Sequence, residues 1–556
     1  MAPTTSGTLA TPMTAAARPA ENPTRFGVPD GAEPDALLAV LDDRQALERE
    51  PVQSVRRTVL DTFDWRIHAE GWILERERVG RRSELVLRAI DGDELVRLGG
   101  SAVPVFARDL PEGPLRSRLA PVLEMRALTP VAELATHRWV ARLVDGEGKT
   151  RVRVRVEQNQ LVGRARTSKV ATPGNDLGSV VTVLPLRGYE TDAERVRELL
   201  AAQVAVEGGA AEGDAPDPVV AALAALGQAP GWYSSKLKVE LDPGLPAAEA
   251  YRRILRRLRQ TMRDNEAGTL ADVDSEFLHD YRVAVRRTRS VLGQAKGVLP
   301  ADLLAWAIPE WRWLGGVTGP TRDLDVWLLT LPELEVAVPD LLEGGLARLD
   351  AHVAGLQRDA HDTLVAELAS PHALDLLARW DAWLDAADEP PGPEDGASAA
   401  AEPIVGIARA RIWKAYRRVR DDGRAIGPAS PGPELHELRK DAKKLRYLLE
   451  CFATLFPADD MKSIVRELKL VQDVLGTFQD CEVQTGTLVG FGEGVLAAAP
   501  RGDRAGTART LMAMGSLVEL IEERRLEARA AFAARFERFD SPDNRARYRE
   551  LFKDAS

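Results

Sequence analysis

The sequence predicts an α+β protein of several domains, an antiparallel β-rich region followed by an all-α bundle of two repeated halves. Three observations predict this. Between about residues 52 and 200, short apolar runs alternate with period two and are separated by turn residues. Beyond about residue 245 the period becomes that of helices. Within the helical part, one pattern of basic residues occurs twice, 157 residues apart.

Size and composition agree with this division. A chain of 556 residues is too long for one ordinary core, and two or three domains are expected. Hydrophobic residues make up 45% and charged residues 29%, the balance of a soluble globular protein rather than a disordered one. No apolar run approaches eighteen residues, so no membrane span is expected. The first residues, MAPTTSGTLATPMTAAARPAENPTRF, lack the charged and apolar regions of a signal peptide. Only Cys451 and Cys481 are present, without metal-type spacing or a disulfide framework, which suits a reducing cytoplasm. The net charge of −11 argues against indiscriminate nucleic-acid binding, but the basic residues are concentrated in particular helices, so local charge decides.

In chain order, residues 1–33 are rich in Ala, Pro and Thr and read as a disordered tail. Residues 34–205 form the β-rich domain. Its clearest strand is Arg151 to Glu157, with Val152, Val154 and Val156 on one face and Arg151, Arg153, Arg155 and Glu157 on the other. Asp145-Gly146-Glu147-Gly148 supplies a hairpin turn before it, and Asp91-Gly92 closes the run Ser83 to Ile90. Thr191 to Val204 reads as one helix, with Thr191 as N-cap and Glu194 completing a capping box. Residues 206–240 are a linker. Residues 241–556 form the helical domain, its halves spanning about 241–390 and 400–556.

The repeat carries the functional signal. His279, Arg282, Arg286, Arg287 and Arg289 recur as His436, Arg439, Lys443, Lys444 and Arg446. The offset continues through Arg312 and Lys469, Gly319 and Gly476, Asp323 and Asp480, and Asp325 and Glu482. On a helix, His279, Arg282, Arg286 and Arg289 fall within a sector of roughly 80°. Leu278, Tyr281, Val285, Thr288 and Leu292 adjoin it and face the core, and Leu435, Leu438, Ala442, Leu445 and Leu449 do so in the second copy. A solvated helix face would mix acids with bases at i,i+4, whereas these stripes hold hardly any acid, so an anionic partner is expected.

More bases precede each copy: Arg252, Arg253, Arg256 and Arg257 before the first, Arg411, Lys414 and Arg418 before the second. Such a groove suits a linear polyanion with closely spaced charges, gripped bidentately by Arg and as a point charge by Lys. Inorganic polyphosphate fits, having no bases to read. Aromatics make up only 5% and do not alternate with the stripes, so no specific nucleic-acid recognition by stacking is expected. Neither His279 nor His436 has a second ligand at metal spacing on its helix; each is expected to donate to phosphate. Asp323, Asp325, Asp480 and Glu482 are expected as counter-charges holding the Arg forks. Gly315, Gly319 and Gly476 are expected at tight helix contacts or turns.

At these residues the chain resembles the CHAD family of helical domains. The matching segments are LHDYRVAVRRTRSVL (278–292) with LGGVTGPTRDLDV (314–326), and LHELRKDAKKLRYLL (435–449) with LGTFQDCEV (475–483). The resemblance implies binding of inorganic polyphosphate along a basic helical pore or groove, with association to polyphosphate granules in the cytoplasm. It extends the site to Arg322, whose counterpart is Gln479. No cofactor is implied, although a divalent cation could accompany the ligand, and the oligomeric state is left open. The β-rich region resembles a diverged CYTH domain, the barrel-like triphosphate-tunnel fold, in VLDTFDWRIHAEGWILERER (59–78), SELVLRAI (83–90) and PLRGYE (185–190). Active members open on a Glu-x-Glu-x-Lys strand that holds a metal; none precedes Val59, and REPVQSVRR (49–57) has one Glu without alternation. A binding protein is therefore expected, the alternative being a metal-dependent triphosphatase or polyphosphate-processing enzyme. In the tunnel, Arg76, Arg78, Arg88, Arg153, Arg155 and Glu157 would point inward.

Overall fold

The computed structural model describes residues 24–28, 33–42, 46–90, 94–100, 103–163, 175–206, 217–386, 393–500 and 502–553. The chain forms two compact units, residues 1–234 and 235–556. Most of the expected tail, and the Asp91-Gly92 turn, lie outside the described residues.

The first unit runs β1 (Thr24–Val28), α1 (Pro34–Asp42), β2 (Leu47–Arg49), β3 (Gln53–Asp61), α2 (Arg66–Ala69), β4 (Trp72–Val79), β5 (Arg82–Ala89), β6 (Glu94–Gly99), α3 (Pro114–Leu123), β7 (Thr129–Val144), β8 (Thr150–Gly163), β9 (Asn175–Pro185), α4 (Glu190–Val206) and α5 (Pro218–Ala225). The strands form one antiparallel sheet in the order β1-β9-β8-β7-β3-β4-β5-β6, with β2 also on β7. The sheet is barrel-like: Arg25 on β1, at one end of that order, donates to the Ile90 carbonyl just past β5.

The alternation in β8 sorts its side chains as period two requires. Val152, Val154 and Val156 meet Phe26 and Val28 of β1, Leu37 and Leu41 of α1, and Val196 and Leu200 of α4. At the β7–β8 hairpin, Asp145 accepts hydrogen bonds from the Glu147 and Lys149 amides at 3.0 and 2.9 Å, and Gly148 takes φ 78°.

Three local expectations need correction. The tail contains a strand, since Thr24–Val28 pairs with β9 from Thr24↔Val183 to Val28↔Ser179. The linker contains α5, whose Val219, Ala222 and Leu223 join Val59, Ile73, Val131 and Leu134 in a buried cluster. Burial of that apolar side outweighs the Gly- and Pro-rich composition nearby. Helix α4 begins at Glu190, which puts Thr191 in its first turn rather than at the cap.

The second unit is helical: α6 (Ala247–Leu270), α7 (Ser275–Gly293), α8 (Ala301–Val317), α9 (Gly319–Val336), α10 (Ala347–Leu368), α11 (Pro371–Asp385), α12 (Ile404–Ala425), α13 (Gly432–Cys451), α14 (Ala458–Ala497), α15 (Arg504–Phe539) and α16 (Pro542–Phe552). Among the described residues no helix is long and apolar enough to cross a membrane. Asp274 caps α7 by accepting from the Glu276 and Phe277 amides at 2.9 and 3.2 Å. The apolar sides of α7 and α13 are buried as the periodicity requires, Tyr281, Val285, Leu445 and Leu449 completely. Each buried leucine contributes about 1.5–3 kcal/mol.

The repeats differ at one joint. Pro320 has no amide hydrogen, and the chain there divides into α8 and α9 at Thr318. Its counterpart is Thr477, and α14 continues unbroken for 40 residues.

Candidate anion-binding groove

Helices α7 and α13 pack against each other and turn their basic stripes toward one groove. The groove, of about 370 Å³, is lined by Arg286, Arg289, Ser290, Gly293, Ile308 and Arg312 from the first repeat and Lys440, Lys443, Lys444 and Tyr447 from the second. Six of these residues are cations and none is an acid.

Burial and crowded like charges together lower the pKa of Lys443, Arg289 and Arg282. Burial, reinforced by Arg286, Arg439 and Arg282 and only partly offset by Asp480, pulls the Lys443 ammonium down to about 8. Burial followed by Arg312 and Arg286 lowers Arg289. Burial also lowers Arg282, with Arg286, Arg289 and Arg322 adding to it against Asp323. An anion in the groove would relieve Lys443 and Arg289, which line it.

Fixed partners hold the stripes in place. Arg282 donates to the Gly315 carbonyl at 3.0 Å and lies 3.9 Å from Asp323. Arg439 donates to Asp480 at 2.9 Å. His436 Nδ1 is 2.7 Å from Gln479 Oε1, so the Gln that replaces Arg322 orients the histidine instead. His279 is half-buried on α7. Two glycines permit close approach. A Cβ on Gly315 would stand 2.6 Å from Arg289 Nη1, and one on Gly319 would stand 3.2 Å from Arg282 Nη1. At Gly476 a Cβ would meet open space, so the expected tight contact is absent there.

Not every predicted residue reaches the groove. Arg287 donates to Glu450 at 2.8 Å and to the Ser235 carbonyl at 3.1 Å, and Arg446 donates to the same carboxylate at 2.7 Å. Glu450 thus ties one arginine of each repeat. Arg322 donates to the Ser275 carbonyl at 3.4 Å and lies 3.7 Å from Glu276. Lys414 and Lys469 are exposed on α12 and α14 and do not line the groove. Arg411 donates to the Lys296 carbonyl at 3.0 Å and to the Tyr251 hydroxyl. Arg418 pairs with Asp441 at 2.8 Å, and Lys444, which does line the groove, donates to the same carboxylate at 3.2 Å.

The α6 arginines face α11 instead. Arg253, Arg256 and Arg257 line a separate pocket of about 350 Å³ with Arg259, Arg263, Asp381 and Asp385. Asp381 accepts both nitrogens of the Arg259 fork, and Arg252 stacks over Trp383 at 5.0 Å. Two expected counter-charges are also elsewhere. Asp325 is buried, accepts from Gln357 at 3.1 Å and is pushed up to about 6, chiefly by burial. Glu482 lies against Gly432 at the start of α13.

Lys440, Ser290 and Tyr447 were not among the expected site residues. Ser290 and Tyr447 are repeat counterparts, and that offset could have found them. Lys440 stands four residues after His436, on the stripe's edge, but its counterpart is Val283.

The β-unit has its own ionic interior. Arg57 donates to both oxygens of Glu75, and Arg138 donates to Glu77 and Glu157, each at 2.6 Å. Burial alone would raise the Glu77 carboxyl, but Arg138 holds it down at about 2. Of the residues expected to point inward, Arg88, Arg155 and Glu157 belong to this network. Arg76 donates to Ser83 at 2.9 Å, while Arg78 and Arg153 are exposed. Among the described residues no three His, Cys, Asp or Glu side chains gather as a metal site.

Residues 253–489 match the family model of the CHAD domain. Over 294 residues the chain is 26% identical to two uncharacterized proteins of Mycobacterium tuberculosis, covering 50% of this chain and 55% of each of theirs. The chain therefore spans about half the length of the curated relatives it matches. Among solved structures, the CHAD domain from the plant Ricinus communis is 23% identical, with a TM-score of 0.42, over 57% of this chain and 96% of that one. PptA from Streptomyces chartreusis is 18% identical, with a TM-score of 0.40, over 53% of this chain and 100% of that one.

Proposed function

The chain carries a CHAD domain at residues 253–489, and we propose that the groove within that domain binds inorganic polyphosphate. One observation carries the reading: six cations, five from the repeated helices α7 and α13 and Arg312 from α8, line one groove with no acid among its described lining residues. A linear chain of phosphates presents closely spaced charges, and Arg and Lys together grip its oxygens. Among the described residues Tyr447 is the only aromatic in the lining, so bases have little to stack on. The protein would act as a receptor, joining polyphosphate granules in the cytoplasm through the ligand itself.

The test is titration of the full chain with defined-length polyphosphate, with single-stranded RNA as competitor. Binding should resist RNA at equal phosphate concentration. Arg286→Glu with Lys443→Glu should weaken it about 100-fold or more, since each charge-assisted contact contributes roughly 1.5–3 kcal/mol. A double variant that binds like wild type would remove this groove from the site. Release of phosphate with Mg²⁺ or Mn²⁺ would instead favour the enzymatic reading.

A further inference from the structure

We propose that Lys443 is an acylation site: the groove docks the phosphate of an acyl phosphate and presents its acyl carbon to the Lys443 amine. The inference rests on the groove reading, since it uses the same cations, and adds a covalent switch that turns the site down.

Fixed pairings divide the lining into two kinds of cation. Lys440 donates to Glu437 at 2.7 Å, and Lys444 donates to Asp441 at 3.2 Å. Among the described residues Arg286, Arg289, Arg312 and Lys443 make no ion pair and no side-chain hydrogen bond. Asp480, the acid whose field reaches Lys443, is engaged by Arg439 at 2.9 Å. Three uncommitted guanidiniums therefore share one groove with one uncommitted amine. A guanidinium can hold two phosphate oxygens at once, so the arginines suit the phosphate end of a small ligand.

The amine is set apart chemically as well. Lys443 is half-buried on α13, under the influence of Arg282 and Arg286 from α7, Arg439 from its own helix and Asp480 from α14. Burial, then these cations, holds it at about 8 rather than the ordinary 10.5. At pH 8 roughly half of it is uncharged, against about 0.3% of an ordinary lysine, and only the uncharged amine is a nucleophile. A docked phosphate takes back part of this advantage by favouring the ammonium.

In the reaction, Nζ attacks the acyl carbon and forms an amide bond. The bond from that carbon to the phosphate oxygen breaks, and its electron pair leaves with inorganic phosphate. The amine's surplus proton passes to the departing phosphate or to solvent. The amide carries no charge, so the groove drops from six cations to five and should bind polyphosphate about tenfold more weakly.

The experiment treats the full chain with acetyl phosphate at pH 8 and follows each lysine by peptide mass spectrometry. Lys443 should acylate about tenfold or more faster than Lys440, Lys444 and the exposed Lys462. Inorganic phosphate should slow Lys443 and leave Lys462 unchanged. Arg289→Gln with Arg312→Gln should remove the lead towards acetyl phosphate. It should keep the lead towards the neutral ester p-nitrophenyl acetate, because neither arginine is among the charges that chiefly lower Lys443. Equal labelling of Lys443 and Lys462, or a lead that added phosphate does not shrink, overturns the proposal. A lead that the double variant keeps with both reagents means a reactive amine without a phosphate dock, and overturns it too. Polyphosphate titration of the untreated chain is a separate readout. Binding there without labelling of Lys443 removes this inference alone, whereas labelling without polyphosphate binding leaves a groove for small phosphates and removes the polyphosphate reading alone.

Discussion

Lys443 is where the groove's charge can be read most directly. Its folded-state pKa of about 8 lies below the ordinary 10.5, so between those values the unfolded chain binds more protons than the folded one. Stability should therefore rise with pH across that window, and the penalty should be fully present below it. A bound polyanion favours the charged ammonium, so binding near pH 8 should take up protons. Titration in two buffers of different ionisation enthalpy should show this, and Lys443→Arg should abolish it. Buffer-independent heats at pH 8 would mean that Lys443 does not meet the ligand. Glu450 holds Arg287 and Arg446 together. Replacing it with Gln should destabilise the fold by roughly 1–3 kcal/mol in urea unfolding while polyphosphate binding is retained or strengthened. At this scale the sequence showed which residues share a face, since 3.6-residue periodicity sets Arg286, Arg289 and Lys443 beside their buried neighbours. It did not show which stripe residues spend their charge on neighbours: Arg287 looks like Arg286 until Glu450 is placed, and that contact spans 163 positions.

The elements repeat this lesson at larger size. Helices α7 and α13 were legible because each carries an apolar side and a basic side at helical spacing. The hairpin of β7 and β8 was legible because turn residues separate alternating runs. Strand β1 and helix α5 were not, because each is short and owes its form to partners elsewhere: β9 for the one, a buried cluster for the other. The break between α8 and α9 has a local cause that can be transplanted. Thr477→Pro should interrupt α14 and cost about 3 kcal/mol, because it removes a helical amide and crowds the preceding turn. Pro320→Ala at the natural break should be neutral or slightly stabilising. Urea denaturation of the two variants checks both, and equal tolerance at the two positions would mean that proline does not set the joint.

Over the whole molecule, the charges of opposite sign are unevenly placed: the chain totals −11, yet one groove gathers six cations. The negative remainder should discourage loose association with nucleic acid, while the groove keeps its pull on a chain threaded along it. Ionic strength separates these contributions. Each phosphate contact releases about 0.7 of a condensed counterion from a single-stranded polyanion, so six contacts predict a slope of log affinity against log salt of about −4. Between 50 and 200 mM salt, affinity should then fall on the order of a few hundred-fold. Neutralising two groove positions, with Arg286→Gln and Lys443→Gln, should flatten the slope to about −3. The same change at Arg253 and Arg257, which face α11 beside Asp381 and Asp385, should leave it unaltered. A slope that flattens equally for both pairs would mean that polyphosphate lies along α6 as well as in the groove, and that the ligand's path is longer than the α7–α13 stripe.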